Sequence, residues 1–342
     1  SWTDPAYCKN DSPPDQKIIP LMSEVRYFSL ARHGLLSAFR AIGIKSGDGV
    51  LIPGFICRDV LGCIHSIGAT PFFYQVDQAM KPVSLPQDQS IKAVLLVNYF
   101  GFPQELPPFT QYGLDHGVAL IEDNAHGWLS RDANNVPLGT RVAFGITSFR
   151  KTIRVPDGAI LHINNVGSDT EIEPQLEFLN EPLSFAFRFR SISAHLERSY
   201  GIPLLKFNRR VTRILRRVLT GSELPQVLLS ETSVPETKGP STKSMQQFQS
   251  TDQPQEILRR RALFVDVQSA LSKTAVTPIF SELPDYVCPY GFAFVSEPSQ
   301  IENVKKQLRA LDVEVISWPD LPSTTPTSSS SFYANVWIVN FL

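Results

Sequence analysis

Short apolar runs alternate with stretches in which apolar residues fall three and four positions apart along the first half of the chain. From Leu30, the segment ARHGLLSAFRAIGI puts Leu35, Phe39 and Ile42 on one helical face. Lys45–Gly49 turns the chain, and Val50–Pro53 reads as a buried strand. A helix over Arg58–Ile67 leads to the strand Pro71–Val76. Lys92–Asn98 is the nearly continuous apolar run that a parallel sheet buries on both faces. A helix over Pro107–His116 and a strand over Val118–Asp123 follow. In Ala143–Ile160 an apolar run ends in Ser148-Phe149-Arg150-Lys151, then comes the turn Pro156-Asp157-Gly158 and a second β-rich run, Ala159–Asn164. This alternation predicts an α/β domain with a mostly parallel sheet.

Beyond residue 165 the pattern changes. Residues 171–220 are helical in tendency, and their arginines, from Arg188 to Arg217, read first as a solvated or subunit-facing surface and second as an anion-binding face. Gly221–Pro254, heavy in Ser, Thr, Gln and Pro, reads as a loop or flexible crossing. A helix carrying Arg259-Arg260-Arg261 runs to about Leu271. Strand Gly291–Val295, helix Ser299–Leu311, strand Val313–Trp318 and strand Phe332–Phe341 then make a small α/β unit. The expected organisation is a lead-in (1–30), a large domain with a helical extension (31–220), a crossing segment (221–256) and a small C-terminal domain (257–342).

Composition narrows the function classes. With 32 basic against 33 acidic residues there is no electrostatic case for nucleic acid or an anionic membrane. At 42% hydrophobic the 342 residues have ample core material, yet no apolar run approaches a bilayer span. The opening SWTDPAYCKNDSPPDQK lacks the charged and apolar regions of a secretory signal. Cys8, Cys57, Cys63 and Cys288 are too few and too scattered for a disulfide framework, and Cys57 and Cys63 have poor zinc spacing. A reduced, cytoplasmic compartment is the expectation.

Two stretches carry candidate chemistry. Lys151, at a strand end and three residues after Ser148, suits the task of carrying a cofactor aldehyde, because burial lowers an ammonium's pKa and frees the amine to attack a carbonyl. By itself a solvated lysine at a strand end is the commoner reading, and it is the stretch upstream that shifts the balance. In Val118–Ser130, an apolar strand ends in Glu122-Asp123 with His126 just beyond. A carboxylate at the carboxyl end of a sheet strand faces the crevice where α/β folds bind ligands. It can there pair with a protonated ring nitrogen while His126 meets another polar group of the ligand. The competing reading makes Asp123 a helix cap and His126 a satisfied surface histidine.

Together these stretches resemble the DegT/DnrJ/EryC1/StrS aminotransferases, fold-type I pyridoxal-phosphate enzymes, over most of residues 30–165 and more weakly over 240–342. Glu122-Asp123-Asn124-Ala125-His126 is similar to the family's E-D-x-A-[QH] segment, whose acid holds the pyridine nitrogen. Lys151 precedes Gly158-Ala159 by the seven residues that separate the family's Schiff-base lysine from its Gly-Gly pair. Ala31–Leu35 corresponds to the opening G-[TR]-x-A-L element, so Arg32 and His33 are expected at the cofactor phosphate. Pro53–Cys57 stands where the ring-stacking residue belongs, with either Phe55 or Cys57 filling that place. Asn98-Tyr99-Phe100-Gly101 resembles a Y-G-x-P turn, and Arg259–Ala262 an R-R-x-N helix.

The lysine–serine interval is shortened relative to the family, leaving both Ser148 and Thr147 as phosphate contacts. The family's H-x-x-x-G-x-N-Y-R region has no counterpart; Pro182–Asn208 and the arginine-rich helices take its place. The resemblance implies a homodimer with shared active sites that moves an amino group from glutamate or glutamine to a keto-sugar nucleotide or similar carbonyl substrate. An alternative keeps the cofactor and ends in dehydration, decarboxylation or C–C bond chemistry. A non-catalytic binding descendant is expected to lack the lysine, which is retained here.

Overall fold

The computed structural model describes residues 24–164, 166–167, 170–180, 227–311, 313–324 and 331–342. Arginines 188–217 and residues 1–23 lie outside them. The elements in chain order are β1 (Glu24–Phe28), α1 (Ala31–Ile42), β2 (Gly49–Pro53), α2 (Asp59–Ser66), β3 (Thr70–Val76), β4 (Pro82–Ser84), β5 (Ile91–Val97), α3 (Pro107–His116), β6 (Ala119–Asn124), β7 (Phe144–Thr147) and β8 (Ala159–Ile163). They build one eight-stranded sheet in the order β1-β8-β7-β6-β5-β2-β3-β4.

Strands β3, β2, β5, β6 and β7 run parallel, while β8, β1 and β4 are antiparallel to their neighbours. The register pairs Val97 with Asp123 and Asp123 with Ile146, so the carboxyl ends of the middle strands lie level. Every residue of β2 is buried, and all of β5 except Lys92, as expected of strands covered on both faces. Helix α1 buries His33–Phe39 and stops at Gly43, whose φ of 83° a side chain would strain. Pro107 in the first turn opens α3, and left-handed Gly117 closes it.

The rest of the described chain comprises α4 (Val227–Thr232), α5 (Thr242–Ser250), α6 (Gln253–Leu271), β9 (Thr277–Pro278), β10 (Gly291–Val295), α7 (Ile301–Gln307), β11 (Glu314–Ser317) and β12 (Val336–Asn340). A four-stranded antiparallel sheet, ordered β11-β12-β10-β9, has α6 packed on β10. Asp252 caps α6 by accepting from the Gln255 N–H, and its Phe264, Val267 and Leu271 are buried.

Three expectations are corrected. The Ser/Thr-rich stretch 221–254 holds α4 and α5: Ser241 caps α5, and Met245 is buried with Phe149, Ile153 and Ile160. Burial at the tertiary level overrides a composition that favours loops. The last strand is only five residues, since Ser331–Asn335 forms a 3₁₀ turn that packs the rings of Phe332 and Tyr333 against Phe55. Residues 24–28, placed in the lead-in, form an edge strand paired with β8.

Candidate active site

The parallel strands deliver their chemistry to one crevice. After β2 come Cys57 and Asp59, after β5 Asn98, at the end of β6 Asp123 with Ala125 and His126 beyond it, and after β7 Ser148, Arg150 and Lys151. All line one cavity of about 350 Å³, within the range of small-molecule sites. Its near rim is the start of α1, where Leu30, Ala31 and Arg32 lie and where no side chain caps the helix. The end of β11 and the residues after it contribute Ser317, Trp318 and Asp320. The position fits the rule that open α/β sheets take ligands beyond the carboxyl ends of their strands.

Lys151 ends a 3₁₀ turn, Phe149–Lys151, whose N–H groups fold back on Ser148 and Phe149. Gly158 makes the turn possible: its φ is 131°, and a Cβ there would meet the Phe149 ring at 2.0 Å. Nζ of Lys151 lies 3.3 Å from Nε2 of His126, a hydrogen bond whose direction follows the imidazole tautomer. The His126 ring is stacked on Tyr290 at 4.3 Å with an interplanar angle of 4° and stands edge-on to Trp318.

Burial dominates the electrostatics. It lowers the Lys151 ammonium from the ordinary lysine value, opposed by Cys57 and Asp123 and helped by Arg150. It holds His126 well below the ordinary imidazole value, with Lys151 adding to the effect. Lys151 and His126 are therefore held toward neutrality side by side, the condition in which an amine is a nucleophile and an imidazole an acceptor. Burial pushes the Asp123 carboxyl up, while Lys151 and the Ala125 N–H, 2.9 Å from its Oδ1, pull it back. The Cys57 thiol is likewise pushed up by burial, which favours the protonated form over the thiolate.

Beneath Asp123 a second carboxylate is kept out of the way. Glu122 is fully buried and accepts from Arg141 Nε at 2.7 Å, from the Arg141 N–H and from Asn98 Nδ2. Arg141 continues to Asn98 Oδ1 and the Gln104 carbonyl. Of the adjacent carboxylates, only Asp123 opens onto the cavity.

Two features suit an anionic group. Ser148 Oγ is buried with no hydrogen-bond partner, as is Arg150 Nε. Arg32 and Arg150 are neighbours, and that proximity, after burial, lowers the Arg150 guanidinium. Arg32 has a carboxylate partner, Asp59, at 3.4 Å. A hydroxyl and a guanidinium nitrogen left unmatched beside an uncapped helix start make a cradle for a phosphate. The residues present thus fit pyridoxal phosphate: Ser148, Arg150 and the start of α1 for its phosphate, Asp123 for its ring nitrogen, Lys151 for its aldehyde.

Of the residues singled out in the sequence, Arg32, Cys57, Asp123, His126, Ser148 and Lys151 line this cavity. Two do not. His33, one helical step past Arg32, turns its Nδ1 to Ser29 Oγ at 3.1 Å and is buried away from the crevice. Phe55 points into an aromatic cluster with Tyr99, Trp318, Phe332 and Tyr333, so it packs core instead of facing a ligand. Between Thr147 and Ser148 the alternation of β7 decides: Thr147 faces His162 and Asn124, and Ser148 faces the cavity. Sequence reasoning missed Arg150, Asp59, Trp318 and Asp320. Arg150 had a signal in its place beside Lys151; Trp318 and Asp320 had none, being brought in from the far end of the chain. Among the described residues no cluster of three or more His, Cys, Asp or Glu side chains could hold a metal ion, and no helix is long and apolar enough to cross a membrane.

Known proteins are similar to this chain in sequence and in fold. A UDP-N-acetyl-3-dehydro-alpha-D-glucosamine 3-aminotransferase of Acidithiobacillus ferrooxidans is 25% identical over 224 residues, covering 60% of this chain and 56% of that protein. The chain therefore spans little more than half the length of this curated relative. The solved structure of an aminotransferase, TlmJ, from Streptoalloteichus hindustanus shares the fold with a TM-score of 0.58 at 18% identity, over 92% of this chain and 80% of that one. So does a GDP-4-keto-6-deoxymannose-3-dehydratase, with a TM-score of 0.57 at 14% identity over 92% and 83%. The model of the DegT/DnrJ/EryC1/StrS aminotransferase family matches residues 28–178, the segment that holds α1, all the parallel strands, Asp123 and Lys151.

Proposed function

We propose that this protein is a pyridoxal-phosphate-dependent aminotransferase that moves an amino group from glutamate or glutamine to a keto-sugar nucleotide or a similar carbonyl compound. The observation that carries the reading is the half-buried Lys151 amine, 3.3 Å from His126 in a cavity that also holds Asp123. Bound there, pyridoxal phosphate supplies an electron sink for the carbon that bears the migrating nitrogen.

The chain's own residues do the rest. Asp123 offers a carboxylate to a ring nitrogen and keeps it protonated. Ser148 Oγ and Arg150 take phosphate oxygens, the guanidinium as a charge-assisted donor. Lys151 Nζ supplies the unprotonated amine that takes hold of a carbonyl carbon. Once displaced, it remains a base that holds or moves a proton at Nζ. His126, pinned on Tyr290, gives Nζ a neutral neighbour within hydrogen-bond reach. Trp318 and Asp320 close the substrate side.

A homodimer in the cytoplasm, with each site completed by the partner subunit, is part of the proposal; the dimer follows from the resemblance to the aminotransferase family over residues 28–178. The nucleotide-sugar substrate is supported by the named activity of the Acidithiobacillus relative. The deciding experiment loads the protein with pyridoxal phosphate, incubates one portion with glutamate and one without, and only then fixes the remaining cofactor by borohydride for peptide mapping. Label on Lys151 and its loss after glutamate are expected. Label elsewhere, or none, refutes the cofactor reading. Label on Lys151 that no amino donor discharges refutes transamination and favours the dehydratase outcome of the same fold.

A further inference from the structure

Three consecutive arginines, Arg259, Arg260 and Arg261, lie about two turns into α6 and fan out around it. Arg259 pairs with Glu256 and the Phe341 carbonyl, and Arg261 bonds the Pro284 and Val287 carbonyls near the surface. Arg260 alone is fully buried, at 0% exposure. Its fork is spent on two segments of the site. Nη2 donates to the Thr152 carbonyl at 2.6 Å; Nη1 donates to the carbonyls of Tyr290 at 3.0 Å and Pro289 at 3.2 Å. Nε anchors the group to Glu256 at 2.6 Å.

Thr152 follows Lys151 and closes its turn by donating to Phe149. Tyr290 carries the ring on which His126 is stacked, and its N–H is fixed by the Phe100 carbonyl. The contacts close a circuit: Lys151 to Thr152 along the chain, Thr152 to Arg260, Arg260 to Tyr290, Tyr290 to His126, and His126 back to Lys151 Nζ.

We propose that Arg260 is a positioning residue: its guanidinium fixes the lysine turn and the Tyr290 segment at one separation, and thereby holds the Lys151 amine against His126. The guanidinium is planar and reaches the carbonyls of both segments at once, whereas an ammonium on a flexible stem reaches one and leaves the others unpaired. The small domain, through α6, thus sets the geometry of an amine on the large one.

This inference rests on Lys151 being the working amine, so its test is made independent of the cofactor. Across a pH series, Lys151 is labelled with an acylating reagent in trace amounts and located by peptide mass mapping. The groups facing Nζ are Cys57 and Asp59 from the α2 region, Asp123 and His126 from β6 and its exit, and Arg150 beside it. In the unaltered protein the labelling midpoint should fall below the ordinary lysine value. In Arg260→Met and Arg260→Lys the loosened turn admits water, and the midpoint should rise by about one pH unit, about tenfold less free amine at neutral pH. Arg261→Lys, which loosens the same helix at the surface, should leave it in place.

Arg260→Lys keeps the charge and carries the test if Arg260→Met does not fold. A simple packing role would be rescued by lysine. An unmoved midpoint in a folded Arg260 variant, or an equal shift in Arg261→Lys, overturns the proposal. Borohydride fixation run in parallel separates the two failures. Absence of pyridoxal phosphate on Lys151 in the unaltered protein sinks the functional reading, while the labelling series still decides Arg260.

Discussion

Replacing Arg141 by methionine should destabilise the protein by about 3–5 kcal/mol, the cost of leaving one member of a buried ion pair alone. Among the described residues the pair is the most buried: side-chain exposure is 4% for Arg141 and 0% for Glu122, at 2.7 Å. Charge centres about 4 Å apart attract by about 4 kcal/mol at an effective dielectric of 20, so screening does not erase the interaction. Three further acceptances, at Asn98, Gln104 and the second Glu122 oxygen, depend on the same loop. The assay is urea unfolding followed by circular dichroism, on Arg141→Met, Glu122→Gln and the double variant.

The double variant should recover at least half the loss, because the isolated charge is what costs. A second readout touches function. With Arg141 gone, an uncompensated Glu122 raises the neighbouring Asp123 further, since like charge already pushes it up. Retention of pyridoxal phosphate should therefore weaken in Arg141→Met and return in the double variant. A loss below about 1 kcal/mol, or no recovery in the double variant, would refute the reasoning.

Other substitutions probe the rest of the site. Ser148→Ala removes a buried hydroxyl that has no partner, so stability should hold or rise by about 1 kcal/mol, whereas affinity for pyridoxal phosphate should fall about tenfold relative to phosphate-free pyridoxal; equal losses for both ligands would move the phosphate elsewhere. His162 is lowered by burial from 6.5 to about 4. The unfolded chain protonates there below about 6.5 and the native chain only near 4, so stability is lost as pH falls through that window, by at most about 3 kcal/mol. His162→Gln should flatten this slope in urea midpoints measured across it. His33, lowered to about 4 mainly by burial and then by Arg32, acts in the same direction, so a residual slope remains.

How much of this was legible in the linear chain differs by level. The alternation of apolar runs with helical periodicity was enough for the α/β class. Each parallel strand and each helix up to Ile163 was located within a few residues, because burial on both faces leaves a continuous apolar signature. Strands β4 and β9, of three and two residues, left no such signature. The helix over 242–250 was hidden because Ser, Thr and Gln dominate it and only Met245 and Phe248 pack it against Phe149 and its neighbours.

At the site, Lys151, Asp123, His126 and Ser148 could be picked out because a strand's carboxyl end fixes where the next few side chains go, and that is a local property. Three decisions were not local. Whether His33 or Arg32 faces the crevice turns on a rotation of about 100° per residue around α1. Whether Phe55 meets a ligand or the core turned on four aromatic rings, three of them more than 200 residues away. That Arg260, not its two neighbours, reaches Thr152 and Tyr290 depended on how α6 docks. The order of residue types along the chain determined the strand ends and what chemistry they carry. Only the folded structure decided which side chains share a cavity and in which charge state, because burial and neighbouring charge set an amine's basicity, and both exist only once distant segments have packed.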